Sequence, residues 1–263
     1  AAFHYRHLAA NLSRNMKRQN YDGTQLYSDA ATLSNIVRDR ARGYVVSTKD
    51  PISGGGHCLL GSTDFDYDYL VTSTLASQAG PATGRALGTI LYNTLKLPDP
   101  KFPPGSVSFV SVGDGSVNNS HFLSAVNLVD YAVHHNVKVP LLMAISNNRM
   151  CISLRDRQNW LFTYINKLLH FKKFKCDGNN MFDVYQQFKT SLEYVRKTQK
   201  PALIVVDELK RQFGHAATDR QDAYLSSEEV EMLANNDLLL KLCKQYIKLG
   251  VFDSKMECLE RLL

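Results

Sequence analysis

Cysteine is scarce and irregularly placed in this chain. The 263 residues hold five, at 58, 151, 176, 243 and 258, odd in number and without a Cys-x-x-Cys pair. That argues against a zinc site and a disulfide frame and for a reducing compartment. No apolar run reaches the roughly 20 residues a membrane-spanning helix needs. There is no GxxxxGK[ST], so the loop Pro51 to Gly61, rich in glycine, is not a phosphate-binding loop of that kind. Excess acidity is missing too: the net charge is +6. The one dense basic run, Lys167 to Lys175 (KLLHFKKFK), reads as a solvated loop, and nucleic-acid binding is not expected. Proline is sparse except in Pro98 to Gly105 (PDPKFPPG), a connector. Neither an internal repeat nor a low-complexity tract is present. No targeting peptide is visible, and the opening at Ala1 reads as the cut end of a precursor or longer chain.

What is there suits one large α/β domain over residues 1–263, with an N-terminal helical region over 1–42 and C-terminal helices over 226–263. Phe3, Leu8, Leu12 and Met16 have helical spacing, and a second helix is expected over Asp29 to Arg42. Leu70 to Ser73 reads as a short strand. A helix with small residues at Ala79, Ala82, Gly84, Ala86 and Gly88 follows, a density that suggests close helix packing. Val107 to Val112 is an apolar, β-branched run fit for a buried strand. It breaks at Gly113-Asp114-Gly115. The apolar residues Phe122, Val126, Val129 and Val133 then make a helical stripe, and a second strand, Val139 to Ile145, ends at Asn147-Asn148. Met181 to Lys197 is amphipathic through Phe182, Tyr185, Phe188, Leu192 and Val195, and Ala202 to Val206 is another buried strand. Ser226 with Glu229, and Ser254 with Glu257, form capping boxes that start the last two helices.

The strand–helix–strand unit has a chemical use. In a right-handed parallel crossover both strand ends open on one sheet edge, where such folds bind ligands. The turn after the first strand also aims a helix N-terminus there, which favours a diphosphate. Mg²⁺ takes hard oxygen ligands, usually one or two protein groups plus substrate phosphates. Asp114 and the Asn147-Asn148 pair offer such groups. Singly, Gly-Asp-Gly and Asn-Asn are ordinary turns; each ending a strand of one crossover, they are far more specific. Similarly, Arg38-Asp39-Arg40 is by composition a charged solvated face, His57 a loop histidine, and Arg211 to Asp219 a loop at a strand exit.

Together these motifs resemble the thiamine-diphosphate (ThDP) enzymes, whose signature is Gly-Asp-Gly followed at a distance by Asn-Asn. Residues 116–146 separate the two here, 31 in all, with a small surplus around His134-His135-Asn136. Over most of Arg38 to Tyr224 the chain is most similar to the alpha subunits of 2-oxo acid dehydrogenases, the branched-chain type above all. Gly54-Gly55-Gly56-His57 sits where that family has a glycine-rich loop with histidine. Ser73-Thr74-Leu75-Ala76-Ser77-Gln78 resembles Ser-Pro-Leu-Ala-Thr-Gln, and Asn147 to Ser153 resembles Asn-Asn-Gly-Tyr-Ala-Ile-Ser. Asp177-Gly178-Asn179 with Phe182 and Tyr185 fits Asp-Gly-Asn-Asp-Val-Phe-Ala-Val-Tyr. Arg211 to Asp219 aligns without a gap to Arg-x-x-Gly-His-Ser-x-Ser-Asp.

The resemblance implies a parallel sheet with helices on both faces, the ThDP-binding fold, and ThDP with Mg²⁺ as cofactors. Asp114, the Asn148 side chain and the Met150 carbonyl would bind Mg²⁺. Arg38 and Arg211 would hold the diphosphate, which lies along Gly113, Asp114, Gly115 and Ser116. Ser73 and Leu75 would meet the aminopyrimidine through their main chain, and His215 and His57 would be the catalytic histidines. Thr72, Ser77 and Gln78 fall where branched-chain members bind K⁺. The implied reaction is oxidative decarboxylation of a small branched-chain 2-oxo acid, with acyl transfer to a lipoyl group on an acyltransferase core. The glutamate that activates the pyrimidine ring comes from a beta subunit in that family, so a heterotetramer is implied. The setting would be the mitochondrial matrix, or the cytoplasm for a bacterial chain. Ala216 stands where regulated members carry a phosphorylated serine, so that switch is expected to be absent, with Thr218 the nearest hydroxyl. Val37, Ser120 and Ser146 depart from the family's tyrosine, glycine and arginine. These departures support an alternative, a non-catalytic, enzyme-derived structural subunit of a larger organellar assembly.

Overall fold

The computed structural model describes residues 38, 41–50, 52–56, 71–98, 102–216 and 218–251. His57, Val37, the helix expected around Phe3 and the Ser254–Glu257 capping box lie outside the described residues. Among the described residues no helix is long and apolar enough to cross a membrane.

Helix α1 (Ala79–Thr94) precedes strand β1 (Ser108–Gly113). A 3-10 turn over Asp114–Asn118 then leads into α2 (Ser120–His134), and β2 (Leu141–Ser146) follows. A two-rung hairpin, β3 (Met150–Cys151) and β4 (Leu154–Arg155), is followed by the short α3 (Trp160–Ile165). β5 (Lys172–Asp177), α4 (Met181–Thr198) and β6 (Ala202–Asp207) complete the sheet. Beyond a 3-10 turn at Gln221–Ala223 come α5 (Ser227–Ala234) and α6 (Leu238–Lys248).

The main sheet is wholly parallel, in the order β1-β2-β6-β5. Gly113 pairs with Ser146, Ser146 with Val206, and Asp207 with Asp177, so all four strands finish at one edge. Strand side chains alternate between faces, and β2 feeds two cores. Leu141, Met143 and Ile145 join Phe122, Val126 and Val129 of α2 and Ala79, Ala82 and Ala86 of α1 on one side. Leu142 and Ala144 join Ile204 and Val195 on the other. Helices therefore cover both faces, as the resemblance implied. Leu141, Leu142, Met143 and Ile145 are fully buried, each stabilising the sheet by about 1.5–3 kcal/mol. A strand buried on both sides needs this unbroken apolar run.

Several expectations change. The basic run at Lys167 to Lys175 is not a loop: its second half is edge strand β5, in which Lys172 and Lys175 face solvent while Cys176 packs inward. Lysine on an edge strand discourages pairing with other chains. Of the strand expected over Leu70 to Ser73, Val71 makes a bridge while Thr72 and Ser73 lie outside any strand, and Leu70 is outside the described residues. On α4 Ser191 and Val195 are buried and Val184, Phe188 and Leu192 pack half-buried beside them, whereas Phe182 and Tyr185 are exposed. The Phe182 ring instead meets Tyr246 of α6, centroids 6.0 Å apart. In α1 only the alanine face with Thr83 is buried, and Gly84 and Gly88 look onto open space. The first residue past β1 opens a 3-10 turn, and α2 begins only at Ser120, capped by the Asn119 side chain. Ser226 and Glu229 do form a reciprocal capping box.

Candidate active site

A cavity of about 580 Å³ opens at the edge where the strands end. Its floor is the exit of β1, Gly113 to Ser116, with Ser146 and Asn148 from the exit of β2. One wall is the stretch Thr72 to Ala76 with Gln78; the other is Met150 to Ile152 of the hairpin, and the rim is Leu209, Lys210, Arg211, Gly214 and His215. Residues far apart in the sequence thus meet because parallel strands deliver their ends to one place.

Asp114 is buried in this floor. Burial pushes its carboxyl above the ordinary value, while the N–H groups of Gly115 and Met150 act in the opposite sense and the Asp156 charge adds to the rise. A carboxylate in that state gains from a neighbouring cation. Asn148 Oδ1 accepts from the Met150 N–H at 2.9 Å, and a carbonyl oxygen so used retains a second lone pair. The preceding Asn147 does other work: it is buried, and its Nδ2 donates to Asp207 Oδ1 at 2.7 Å. Of the pair, Asn148 alone lines the cavity.

Arg211 reaches across the rim. Its Nη2 donates to the Ile152 carbonyl at 3.0 Å, bonds the Tyr224 hydroxyl and lies 3.6 Å from Asp219 Oδ2. Its Nε is buried without a hydrogen-bond partner among the described residues. Asp219 also accepts from the His215 N–H and, at 2.9 Å, from the Tyr224 hydroxyl. The His215 N–H, then Tyr224 and Arg211, hold the Asp219 carboxyl below its ordinary value. Asp219 and Tyr224 thereby fix the loop bearing Arg211 and His215, a role their spacing in the sequence does not signal.

Ser73, Leu75 and Thr72 line the cavity and are exposed. The Thr72 and Ser77 hydroxyls are 2.8 Å apart, and the buried Gln78 donates Nε2 to the Ser111 carbonyl at 2.9 Å. Arg38 is exposed and is not among the cavity-lining residues. Lys210, Cys151 and Ile152 line the cavity without having been singled out in the sequence. Cys151 lies hard against Gly115: a Cβ on that glycine would be 2.5 Å from the Cys151 Sγ. Ile152 and Arg149 have φ of 46° and 57°, a left-handed backbone that is strained for any residue but glycine and marks a tightly determined turn.

The donor set fits a hydrated cation bridging to an anion. Among the described residues no group of three or more His, Cys, Asp or Glu could hold a metal unaided. One buried carboxylate, one amide oxygen and one backbone carbonyl instead suit Mg²⁺ completed by phosphate oxygens. The unpartnered Arg211 Nε supplies a donor of matching charge.

Fold and site define a parallel α/β protein with an acidic, metal-compatible turn at the carboxyl edge of its sheet. The chain belongs to the dehydrogenase E1 component family, whose model matches residues 103–258. It is 28% identical over 57% of its length to the 2-oxoisovalerate dehydrogenase subunit alpha of Bacillus subtilis, covering 44% of that protein. It is 27% identical over 52% of its length to the pyruvate dehydrogenase E1 component subunit alpha of Rickettsia prowazekii, covering 41%. The subunit of that name from Mycoplasma pneumoniae is 24% identical over 71% of this chain and 49% of its own length. The chain thus spans less than half the length of these relatives. A transketolase from Leishmania mexicana superposes on 51% of the chain and 20% of its own, with 20% identity and a TM-score of 0.38.

Proposed function

We propose that the chain is the alpha-type component of a 2-oxo acid dehydrogenase that binds ThDP and Mg²⁺ in the cavity at the sheet edge. The observation carrying this reading is Asp114, a buried carboxylate beside Asn148 and Met150 on the floor of that cavity. Asp114, the Asn148 side chain and the Met150 carbonyl hold the metal. Arg211 offers its guanidinium to the diphosphate, a task suited to its fork of donors. Ser73 and Leu75 present main-chain groups to the aminopyrimidine, and His215 moves or holds a proton at the reacting end. The chemistry that bound ThDP supplies is stabilisation of the negative charge left on carbon when a 2-oxo acid loses CO₂.

The substrate class is a small branched-chain 2-oxo acid, with pyruvate the competing choice because relatives of both names match equally well. A beta subunit completes the site in a heterotetramer, and the acyl group passes to a lipoyl-bearing acyltransferase core. K⁺ at Thr72, Ser77 and Gln78 and a setting in the mitochondrial matrix, or in the cytoplasm for a bacterial chain, belong to the same reading. The purified chain alone is then inert: decarboxylation without any partner would contradict it. Ser146 in place of an arginine, with Arg38 not among the cavity-lining residues, favours the alternative of a structural subunit derived from such an enzyme.

Calorimetry with ThDP and Mg²⁺, on the chain with its partner, decides. Removing the carboxylate that pairs with a buried cation costs about 2–5 kcal/mol, roughly one and a half to four decades in affinity. Saturable binding that Asp114→Ala loses supports the enzyme. No wild-type binding favours the structural subunit.

A further inference from the structure

The hairpin β3–β4 is held from outside the cavity. Arg155 on β4 grips Glu229 of α5 through two parallel bonds, Nη1 to Oε1 and Nη2 to Oε2, each 2.7 Å. Its Nη2 also donates to the Tyr224 carbonyl at 3.2 Å. Two parallel bonds between a guanidinium and a carboxylate fix orientation as well as distance. Glu229 is itself fixed, because its Oε2 accepts from the Ser226 N–H at 2.9 Å in the capping box. The pair is thus anchored to a helix end and not to a free side chain.

What it holds matters for the site. Arg155 is the cross-strand partner of Met150, and Cys151 pairs with Leu154. Cys151 touches Gly115 so closely that no Cβ fits between them, and Gly115 follows Asp114. The carbonyl of Ile152, at the hairpin turn, receives Arg211. Movement of β4 would therefore displace the Met150 carbonyl, the Asp114 turn and Arg211 together.

We propose that Glu229 is a positioning residue: through Arg155 it sets the β3–β4 hairpin so that Met150, Asp114 and Arg211 converge. This rests on the reading of the cavity as a Mg²⁺–diphosphate site. Glu229 touches neither ligand and acts only through Arg155.

The test is a double-mutant cycle on the full chain with its partner, using Glu229→Gln, Arg155→Gln and both together. Glutamine still serves at the third position of a capping box, so Glu229→Gln removes the charge pair while leaving the start of α5 intact. Amide hydrogen exchange over residues 149–156, with residues 181–198 as the internal control, reports the hairpin without any ligand. Titration with Mg²⁺ at fixed ThDP reports the site. Coupled neighbours typically show effects of about twofold or more that do not add. Each single variant should speed exchange in 149–156 by that factor and raise the half-saturating Mg²⁺ concentration equally, and the double variant should be no worse. Control exchange should not change. Unchanged exchange in the hairpin, additive effects, or faster exchange with unaltered Mg²⁺ dependence would overturn the role of Glu229 alone. A wild type that never saturates with ThDP would overturn the diphosphate reading and this role with it, while the exchange data would still show whether the clamp orders the hairpin.

Discussion

Asn147 Nδ2 donates to Asp207 Oδ1 across 2.7 Å, a buried bond that joins the exits of β2 and β6 beneath the cavity. Lys175 on β5 closes the same carboxylate from the other side, Nζ to Oδ2 at 2.7 Å. Three neighbouring strands are thus tied at the edge where the site is built. The Asn-Asn pair divides its labour accordingly, the first residue bracing the sheet and the second facing the cavity.

Asp207→Ala leaves the Asn147 amide buried without its acceptor, at a cost of about 1–3 kcal/mol, and it also removes the ion pair to the solvent-exposed Lys175. Urea unfolding should show that loss, and Asp207→Asn, which keeps an acceptor, should show less. Acid dependence gives a sharper check. Burial pushes the Asp207 carboxyl up, but Lys175, the Glu208 N–H and Asn147 outweigh it, and the net value falls below the ordinary 3.8. A depressed folded value means the carboxylate's stabilisation is complete above 3.8 and drains away as pH falls through the lower folded value. The stability gap between wild type and Asp207→Asn should therefore stay constant from neutrality to about pH 5 and shrink only in stronger acid. A gap that closed near neutral pH would contradict this.

Gly115→Ala should fail for a steric reason. The new Cβ would lie 2.5 Å from the Cys151 Sγ and 2.8 Å from its Cβ. Overpacking of this kind costs about 1–3 kcal/mol. Cys151→Ala removes the nearer of the two atoms, so the double variant should recover part of the lost melting temperature. Full stability in Gly115→Ala alone would mean that the hairpin does not press on the turn.

The parts legible in the sequence are those whose cause is local. β1, β2 and β6 are buried on both faces and show as apolar runs, and the α2 stripe through Phe122, Val126 and Val129 is buried as its spacing predicts. β5 was hidden because Lys172, Lys173 and Lys175 mask an edge strand that pairs on one side only within the described sheet. α6 lies within the C-terminal helices expected over 226–263, but its own start at Asp237, whose side chain accepts from the N–H groups of Leu239 and Leu240, was not read, because the expected starts were the Ser226 and Ser254 capping boxes. The Asp219–Tyr224 tether and the Arg155–Glu229 pair are tertiary. Nothing in residue type or spacing announces which carboxylate an arginine will find.

Ala216 stands where a regulated serine would follow the histidine, and it carries no hydroxyl. On the proposed dehydrogenase reading, incubation of the chain assembled with its partner with a dehydrogenase kinase should leave residue 216 unmodified in the mass spectrum and any activity unchanged. Phosphate on the exposed Thr218 with loss of activity would show that the loop has kept a switch by another residue.

Arg211→Lys tests the loop chemistry most directly. Both residues are cations, so charge alone predicts little change. The arginine, however, bonds the Ile152 carbonyl and the Tyr224 hydroxyl while its Nε stays unpartnered, and it is held beside Asp219. A lysine ammonium has three donors at one point and cannot span those positions while also meeting an anion. Losing one hydrogen bond to a charged group costs about 1.5–3 kcal/mol, or about one to two decades in the ThDP dissociation constant. Calorimetry should show that weakening with enthalpy lost. Tyr224→Phe, which removes only the hydroxyl tether, should fall between wild type and Arg211→Lys. Equal affinities in all three proteins would mean that Arg211 braces the loop and never meets the diphosphate.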